Sequence, residues 1–488
     1  MIEFFSEYPI LLWLLEIAYV IGIIFLSIKI ILDTQNVSKT LGYLLLIIFV
    51  PIIGIIIYFL FGVNFRKNKF YNFKIQKNKQ VYEKIRSFAA TLHKNTIKNT
   101  ASPLLKNSLN TIQFLFNASQ SIITQGNQVE LLFNGENKFP KLFKVLKAAK
   151  HHIHLEYYIF NDDKIGNQLA EILIEKAKEG VIVRFLYDDF GSRKMKKKFL
   201  AKLKKAGIQI CPVNKIKFKL LANRINYRDH RKIVIVDGKH VFTGGINVAD
   251  RYINPNKDKF WRDTHVYIKG NAALYFQYLF MTNWVFAIEK YIPNASSYFI
   301  KSPQNYGNKL VQAASSGPDI KPSIMLSTTS SIYEAKKRIY ITTPYFIPVA
   351  PILNALKSQA LAGIDIRLLV PKTGDSKLVN AAAFSYYEEL LKNGVRIFFY
   401  EKGFIHAKTM LIDDYFSSIG TANMDVRSQE LNFEVNTHIY DKEINNKLCE
   451  MFFEDLENSK EVSYPEWIQR SSTKIFFEHF ARLFSPLL

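Results

Sequence analysis

Two histidines, two lysines and two asparagines recur in this chain at matched intervals. His230-Arg231-Lys232 is followed by four apolar residues and Asp237; His406-Ala407-Lys408 is followed by Thr409, Met410, Leu411, Ile412 and Asp413. Each copy reads H-x-K-x4-D. Each continues to a glycine fourteen positions after its histidine (Gly244, Gly420) and an asparagine seventeen after it (Asn247, Asn423). A single copy reads equally well as a structural turn, because Asp237-Gly238 is also a hairpin signal. Two copies with shared downstream spacing point to one site built twice.

That inventory suits displacement at a phosphodiester. Such a reaction needs a nucleophile, a proton donor for the departing oxygen, and positive charge around phosphorus. A neutral imidazole can attack and a protonated one can donate. Two imidazoles in one cleft therefore support two displacements through a covalent phosphohistidine. Lys232 and Lys408 would supply the fixed positive charge that metal ions supply elsewhere, so neither a metal nor a cofactor is expected. Asn247 and Asn423 can donate to the equatorial oxygens. Each histidine needs a carboxylate to orient it, and the candidates are Asp263 (in Trp-Arg-Asp) and Glu434 (in Leu-Asn-Phe-Glu-Val-Asn). Asp237 and Asp413 belong to the catalytic motif, yet they end a strand at a turn and are equally placed to fix the loop.

The elements that must hold these residues alternate. Val129–Phe133, His152–Phe160 and Val181–Tyr187 read as strands, separated by helices over Lys138–Lys150 and Gly166–Gly180. In the second half, Arg338–Thr343, Ile364–Val370 and Val395–Tyr400 read as strands, with helices over Ala350–Ala362 and Val379–Asn393. The apolar run after each lysine reads as a buried strand, and residues two apart project from one side of it. The fold class is α/β: two similar domains with mixed sheets flanked by helices, forming one pseudo-twofold body behind an N-terminal helical hairpin. We place the hairpin at 1–65, a basic connector at 66–125, the first domain at 126–300 and the second, with a helical tail, at 301–488.

The hairpin rests on two apolar stretches, Ile10–Leu32 and Leu41–Gly62. Each is long enough to cross a hydrocarbon core of about 30 Å. Pro51 and Gly54 are tolerated inside a membrane helix. Arg66, Lys67, Lys69, Lys74, Lys77 and Lys79 follow, so the positive-inside rule puts the following body in the cytoplasm and the N-terminus on the same side. Net charge is +23, which favours an anionic partner such as a phospholipid surface or a nucleic acid. The two cysteines, Cys211 and Cys449, give no metal or disulfide spacing.

Other clusters read more plainly. His151, His152 and His154 sit at a strand start without acidic partners and are read as structural. Arg193–Lys205 carries eight basic residues around Phe199 and Leu203, a surface helix with one buried stripe. Lys215, Lys217 and Lys219 alternate with Ile216, Phe218 and Leu220 as an amphipathic extended segment. The tail from Lys474 to Phe484 has apolar residues at helical spacing; core packing is its default reading and a membrane-surface helix the alternative.

The duplicated motif resembles the phospholipase D superfamily, and is similar to its bacterial cardiolipin synthases in particular. The resemblance is carried by Asn226-Tyr-Arg-Asp-His-Arg-Lys-Ile-Val-Ile-Val-Asp-Gly, Phe404-Ile-His-Ala-Lys-Thr, Gly420-Thr-Ala-Asn-Met-Asp-Val-Arg-Ser, Thr343-Pro-Tyr-Phe-Ile-Pro, the Pro-Ile-Ile-Gly of the second apolar stretch and the closing Ser485-Pro-Leu-Leu. It covers nearly the whole chain. It implies two phospholipase D domains sharing one cleft in a bacterial inner-membrane enzyme. Two phosphatidylglycerol molecules would give cardiolipin and glycerol there. By analogy His230 is the nucleophile and His406 the general acid and then base, with the reverse order open. Thr421 matches a hydroxyl position of the motif where the first copy has Gly245, so the halves are unequal. Val349 stands where an acidic residue is expected. A hydrolase or nuclease of the same superfamily is the alternative activity. No nucleic-acid stacking platform is evident, which leaves phospholipid as the expected partner. A membrane scaffold with a dead site is a third reading, opposed by intact residues at all six motif positions.

Overall fold

The structure is a computed structural model, and it describes residues 9–33, 37–59, 83, 85–99, 103–213, 227–254, 260–290, 292 and 295–487. The basic residues between Arg66 and Lys79 and the alternating segment around Lys215–Leu220 lie outside the described residues. The described residues fall into two compact units, one holding those from 9 to 59 and the other those from 83 onward.

In the smaller unit, α1 (Pro9–Asp33) is long and apolar enough to cross a membrane over Trp13–Asp33. Its side chains from Trp13 to Leu32 are largely exposed, as lipid-facing residues would be. The second apolar stretch is not one continuous helix. It forms α2 (Val37–Phe49) and α3 (Pro51–Ile57), separated at Val50. Pro51 has no N–H to continue the ladder, and its ring clashes with the preceding turn. The two helices pack against one another: a Cβ on Gly54 would lie 2.5 Å from the Leu46 carbonyl carbon, so only glycine allows this approach. Tyr58 thereby returns to hydrogen-bond Asp33 at the end of α1.

The larger unit is built on one mixed sheet. Its first half contains β1 (Ile123–Phe133), β2 (His152–Tyr157), β3 (Ile182–Asp188), β4 (Gln209–Val213), β5 (Lys232–Val236), β6 (His240–Gly244) and β8 (Thr264–Lys269). Its second half contains β9 (Lys309–Ser316), β10 (Arg338–Thr342), β12 (Asp365–Pro371), β13 (Arg396–Tyr400), β15 (Thr409–Ile412), β16 (Phe416–Gly420), β18 (Glu434–Tyr440) and the edge strand β19 (Ser459–Glu461). The spatial order is β19-β13-β12-β10-β15-β16-β18-β9-β1-β8-β6-β5-β2-β3-β4, and two short pairs stand outside it, β7 (Phe260–Arg262) with β14 (Gly403–Ile405) and β11 (Phe346–Ile347) with β17 (Met424–Asp425). Read outward from the central antiparallel β1–β9 pair, both directions repeat one plan. β8, β6, β5, β2, β3 and β4 match β18, β16, β15, β10, β12 and β13. The alternation expected from the sequence is therefore present twice, and the body has an approximate twofold axis through the β1–β9 pair.

Helices cover both faces. On one face lie α6 (Asn134–Lys147), α7 (Lys164–Lys178) and α8 (Lys197–Lys205) over the first half, with α11 (Ala350–Leu361) and α12 (Lys377–Lys392) over the second. On the other lie α9 (Ala273–Ile288) and α14 (Lys442–Glu457). Every residue of α9 from Ala273 to Phe286 is buried, as a helix apolar on all sides requires. Further helices are α10 (Ser323–Glu334), α13 (Val426–Glu430), α15 (Tyr464–Ile468) and α16 (Ser472–Arg482).

Part of the stretch expected to be a connector belongs to this body. α4 (Arg86–Asn99) buries Ala89 and Leu92, and α5 (Leu109–Ser119) buries Ile112 and Leu115. Each pair is three residues apart and so shares one helix face. His93 on α4 accepts a hydrogen bond from the Ile123 amide at 3.1 Å. The tail helix also departs from expectation: α16 buries Glu478 and Ala481 while its phenylalanines face outward.

Candidate active site

His230 lies two residues before β5 and His406 three residues before β15, at equivalent places about the twofold axis. Both line one cavity of about 380 Å³, together with Asn247 and Asn423. The convergence required of the duplicated motif is present: residues 176 positions apart in the chain share one cleft.

Each histidine is held by the opposite half. The His230 amide donates to the Phe433 carbonyl (2.9 Å), and the Phe433 amide to the Arg228 carbonyl (2.9 Å). Nδ1 of His230 then lies 3.1 Å from Oε2 and 2.9 Å from Oε1 of Glu434, the first residue of β18. Conversely, β14 (Gly403–Ile405) pairs in parallel with β7 (Phe260–Arg262), and the His406 amide donates to the Arg262 carbonyl (2.7 Å). This puts His406 Nδ1 2.7 Å from Asp263 Oδ2. Both carboxylate candidates are thus paired with histidines, each across the twofold axis rather than within its own half. With Nδ1 engaged, Nε2 is the nitrogen left for chemistry.

The unequal residues after the two glycines have a steric reason. Thr421 donates its hydroxyl to Glu434 and accepts from the Val435 amide (3.0 Å). At the equivalent Gly245, a Cβ would fall 2.0 Å from Asp263 Oδ1. Aspartate is one methylene shorter than glutamate, and its carboxylate occupies the space that a side chain at 245 would need.

The two lysines behave alike. Lys232 Nζ donates to the His230 carbonyl and Lys408 Nζ to the His406 carbonyl, both at 2.6 Å. Burial draws the Lys232 ammonium down to about 8 and the Lys408 ammonium down to about 7. Burial also lowers His230 to about 4, against the opposing pull of Glu434, and holds His406 well below the ordinary imidazole range. The carboxylates differ. Burial pushes Asp263 up to about 6. Burial acts the same way on Glu434, but His230, Lys232 and the Thr421 hydroxyl outweigh it and leave that carboxyl below its usual range. Burial therefore favours the neutral form of both imidazoles. An anionic phosphodiester would raise both, because an opposite charge within about 4–6 Å favours the protonated form.

The amides are positioned from behind. Asn247 Oδ1 accepts from the Ile159 amide (3.1 Å) and its Nδ2 donates to the Tyr252 hydroxyl (2.6 Å). Asn423 Nδ2 donates to Asp425 (2.9 Å). An amide NH2 carries two hydrogens, so these bonds leave one for a substrate oxygen.

Asp237 and Asp413, counted with the catalytic motif, are placed elsewhere. Each has φ 52°, in the left-handed region, at the turn after its strand. Asp237 accepts from the amides of Lys150, His151 and His152 (3.0, 2.8 and 3.1 Å). Asp413 does the same for Lys336, Lys337 and Arg338 (3.0, 2.7 and 3.1 Å). Neither lines the cavity. Both bind the start of a neighbouring strand to the hairpin, at the far end of the strand from the histidine.

Three arginines line the cavity and were not singled out from the sequence: Arg228, Arg251 and Arg427. Two carried a readable signal. Arg251 and Arg427 each stand four residues after the repeated asparagine, so the repeat extends as N-x3-R in both copies. Arg251 stacks on Trp261, and the Trp261 ring lies 5.3 Å from that of His406. Tyr158 meets the His230 ring edge-on at 4.8 Å.

The histidines at the start of β2 are structural. His152 and His154 both bond Gln277 (3.1 and 2.9 Å), and Arg184 bonds His154 (3.1 Å). A guanidinium already occupies the place a cation would take. Among the described residues, no group of three or more His, Cys, Asp or Glu could hold a metal ion.

A duplicated mixed sheet with a histidine-lysine pair from each half is the phospholipase D type of fold. The fold is like that of a phosphatidylserine synthase from Haemophilus influenzae Rd KW20, with TM-score 0.59 and 15% identity over 78% of this chain and all of that one. The family described as "Cardiolipin synthase, PLD-like domain" matches residues 142–280 and 328–456, and "Phospholipase_D-nuclease N-terminal" matches 19–62. Cardiolipin synthase 2 of Bacillus anthracis is 40% identical over 96% of this chain and 90% of its own length. The major cardiolipin synthase ClsA of Bacillus subtilis (strain 168) is 38% identical over 97% and 99%. The chain belongs to the PLD-like cardiolipin synthase family, and it is an enzyme of the phospholipase D type.

Proposed function

We propose that this enzyme makes cardiolipin and glycerol from two phosphatidylglycerol molecules in the bacterial inner membrane. The observation that carries the chemistry is the shared cavity lined by His230 and His406, each backed by a carboxylate from the other half. The identity of the reaction is supported by the cardiolipin synthases that align over nearly the full chain.

In this reading the donor phosphate enters between the histidines, and its charge is met by Lys232 and Lys408. His230 Nε2 attacks phosphorus in line. His406, protonated once the anion is bound, gives its proton to the departing glycerol oxygen. Glu434, held ionised, stabilises the positive charge that develops on the His230 ring. Glycerol leaves, and a primary hydroxyl of the second lipid replaces it. His406 takes the proton of that hydroxyl as its oxygen attacks phosphatidyl-His230, which breaks the P–N bond and restores both rings. Asn247 and Asn423 donate to the equatorial oxygens throughout. The substrates are bilayer lipids, which suits a chain with a helix long and apolar enough to cross a membrane. The basic run from Arg66 to Lys79 argues that the chain following it is cytoplasmic. No nucleic acid is needed as a partner.

The test is lipid mass spectrometry after the purified full-length protein meets phosphatidylglycerol vesicles. Cardiolipin should accumulate with equimolar glycerol, with or without EDTA, since the buried lysines provide the positive charge. His230→Ala and His406→Ala should each lower turnover by on the order of 10³-fold or more. Phosphatidic acid as the main product would make the enzyme a hydrolase. Turnover retained in either variant would remove the paired-histidine mechanism.

A further inference from the structure

The helix α16 presents its apolar side chains to the outside. Phe476 is 65% exposed, Phe477 61%, Phe480 49% and Leu483 72%. The rings form one patch: Phe476 lies 5.8 Å from Phe477 and 6.4 Å from Phe480, and Phe480 lies 5.6 Å from Phe484. The helix is nevertheless fixed to the body by its polar side. Glu478 accepts from Arg470 (2.8 Å), Arg482 stacks 4.0 Å from the Tyr386 ring, and Ser485 bonds the Tyr386 hydroxyl (3.2 Å). A core helix of this composition would bury its phenylalanines and leave the glutamate in water. Here the arrangement is inverted, and a rigid contiguous apolar patch of this kind marks a binding surface.

We propose that α16 is an interfacial helix that seats the mouth of the cleft on an anionic lipid bilayer. Its neighbours support this. Tyr386 belongs to α12, whose Val379 lines the active cavity beside Asp375, and Leu378 next to them is 44% exposed. Residues Ser485–Leu487 touch α13, whose Arg427 and Ser428 also line the cavity. Charge agrees as well: Lys474 stands exposed in the first turn of the helix, before the phenylalanines. In the first half α8 follows β3 as α12 follows β12, so the helix carrying Lys197, Lys198, Lys202, Lys204 and Lys205 stands on the equivalent side of the axis. An apolar face that enters the acyl boundary and basic groups that meet phosphates are the two components of interfacial helix binding. The proposal rests on the reading that the substrates reside in a bilayer.

The experiment uses the full-length protein at one copy per nanodisc of phosphatidylglycerol and phosphatidylcholine. Cys211→Ser, Cys449→Ser and Phe477→Cys allow a single environment-sensitive NBD label on α16. We expect blue-shifted emission, quenched most strongly by nitroxides attached just below the lipid headgroup. Water-like emission overturns the proposal. So does blue-shifted emission that lipid nitroxides leave unquenched, since protein would then cover the helix. A kinetic arm pairs Phe477→Asp with Phe480→Asp. Turnover of vesicle lipid should fall roughly tenfold, while turnover of short-chain phosphatidylglycerol dissolved as monomers stays within about twofold. Equal loss on both substrates also overturns it. Quenching without any cardiolipin formed would leave the helix assignment standing and defeat the reaction.

Discussion

Burial brings the Lys408 ammonium down to about 7. In the free enzyme it loses its proton as pH rises through about 7, and Lys232 follows through about 8. Each loss removes a positive charge from the phosphate site, so kcat/KM, which reports the free enzyme, should fall on the alkaline side from about pH 7 upward. An arginine stays protonated throughout. Lys408→Arg should therefore shift that limb upward by about one pH unit, to where Lys232 governs it, whatever its effect on the maximum. A limb that does not move would mean another group sets it. The histidines, lysines and asparagines of this site were legible because they repeat, and Asp263 and Glu434 stood out as acids downstream of the two motifs. The pairing of carboxylates was not legible, because Glu434 is far from His230 in sequence and reaches it only by the fold. Gly245 could be seen to differ from Thr421, but the reason lay in the shorter side chain of Asp263.

At the scale of elements, the turns after β5 and β15 do work that the motif alone attributes to catalysis. Removing the Asp413 carboxylate leaves three backbone N–H groups at the start of β10 without their acceptor. The cost should be about 1–3 kcal/mol of stability. We expect Asp413→Ala to lower the unfolding midpoint in denaturant while the folded protein keeps kcat/KM within about threefold. A thousandfold loss in a folded variant would return Asp413 to the chemistry. The strands around both motifs were legible from apolar runs bounded by turn residues. The tail helix was legible as a helix, but periodicity reports a stripe and not which side is covered; the Arg470–Glu478 pair decides that in α16. The break at Val50–Pro51 follows from proline chemistry, yet apolar length alone suggested one continuous span.

For the molecule as a whole, that break bears on orientation. With α3 packed back on α2 and Tyr58 bonded to Asp33, the second stretch enters and leaves at the same end of α1. If α1 alone crosses the membrane and the basic run at 66–79 stays inside by the positive-inside rule, the N-terminus lies outside. A cysteine introduced at Ser6 should then react with an impermeant maleimide on intact cells from which any outer layer has been removed. Protection until lysis would show two full crossings. Duplication was legible at this scale from the matched motifs, whereas a single sheet running through both halves was not, since the β1–β9 pair that joins them carries no repeat of its own.

The crossed acid partners have a consequence for ancestry. Glu434 serves His230 and Asp263 serves His406, so a polypeptide containing one copy alone would lack an acid for its own imidazole. Any one-copy forerunner could have been competent only as a symmetric pair of chains, each lending its acid to the other. Joining the two copies in one chain would free each acid to differ from the other, as a glutamate beside threonine and an aspartate beside glycine do here.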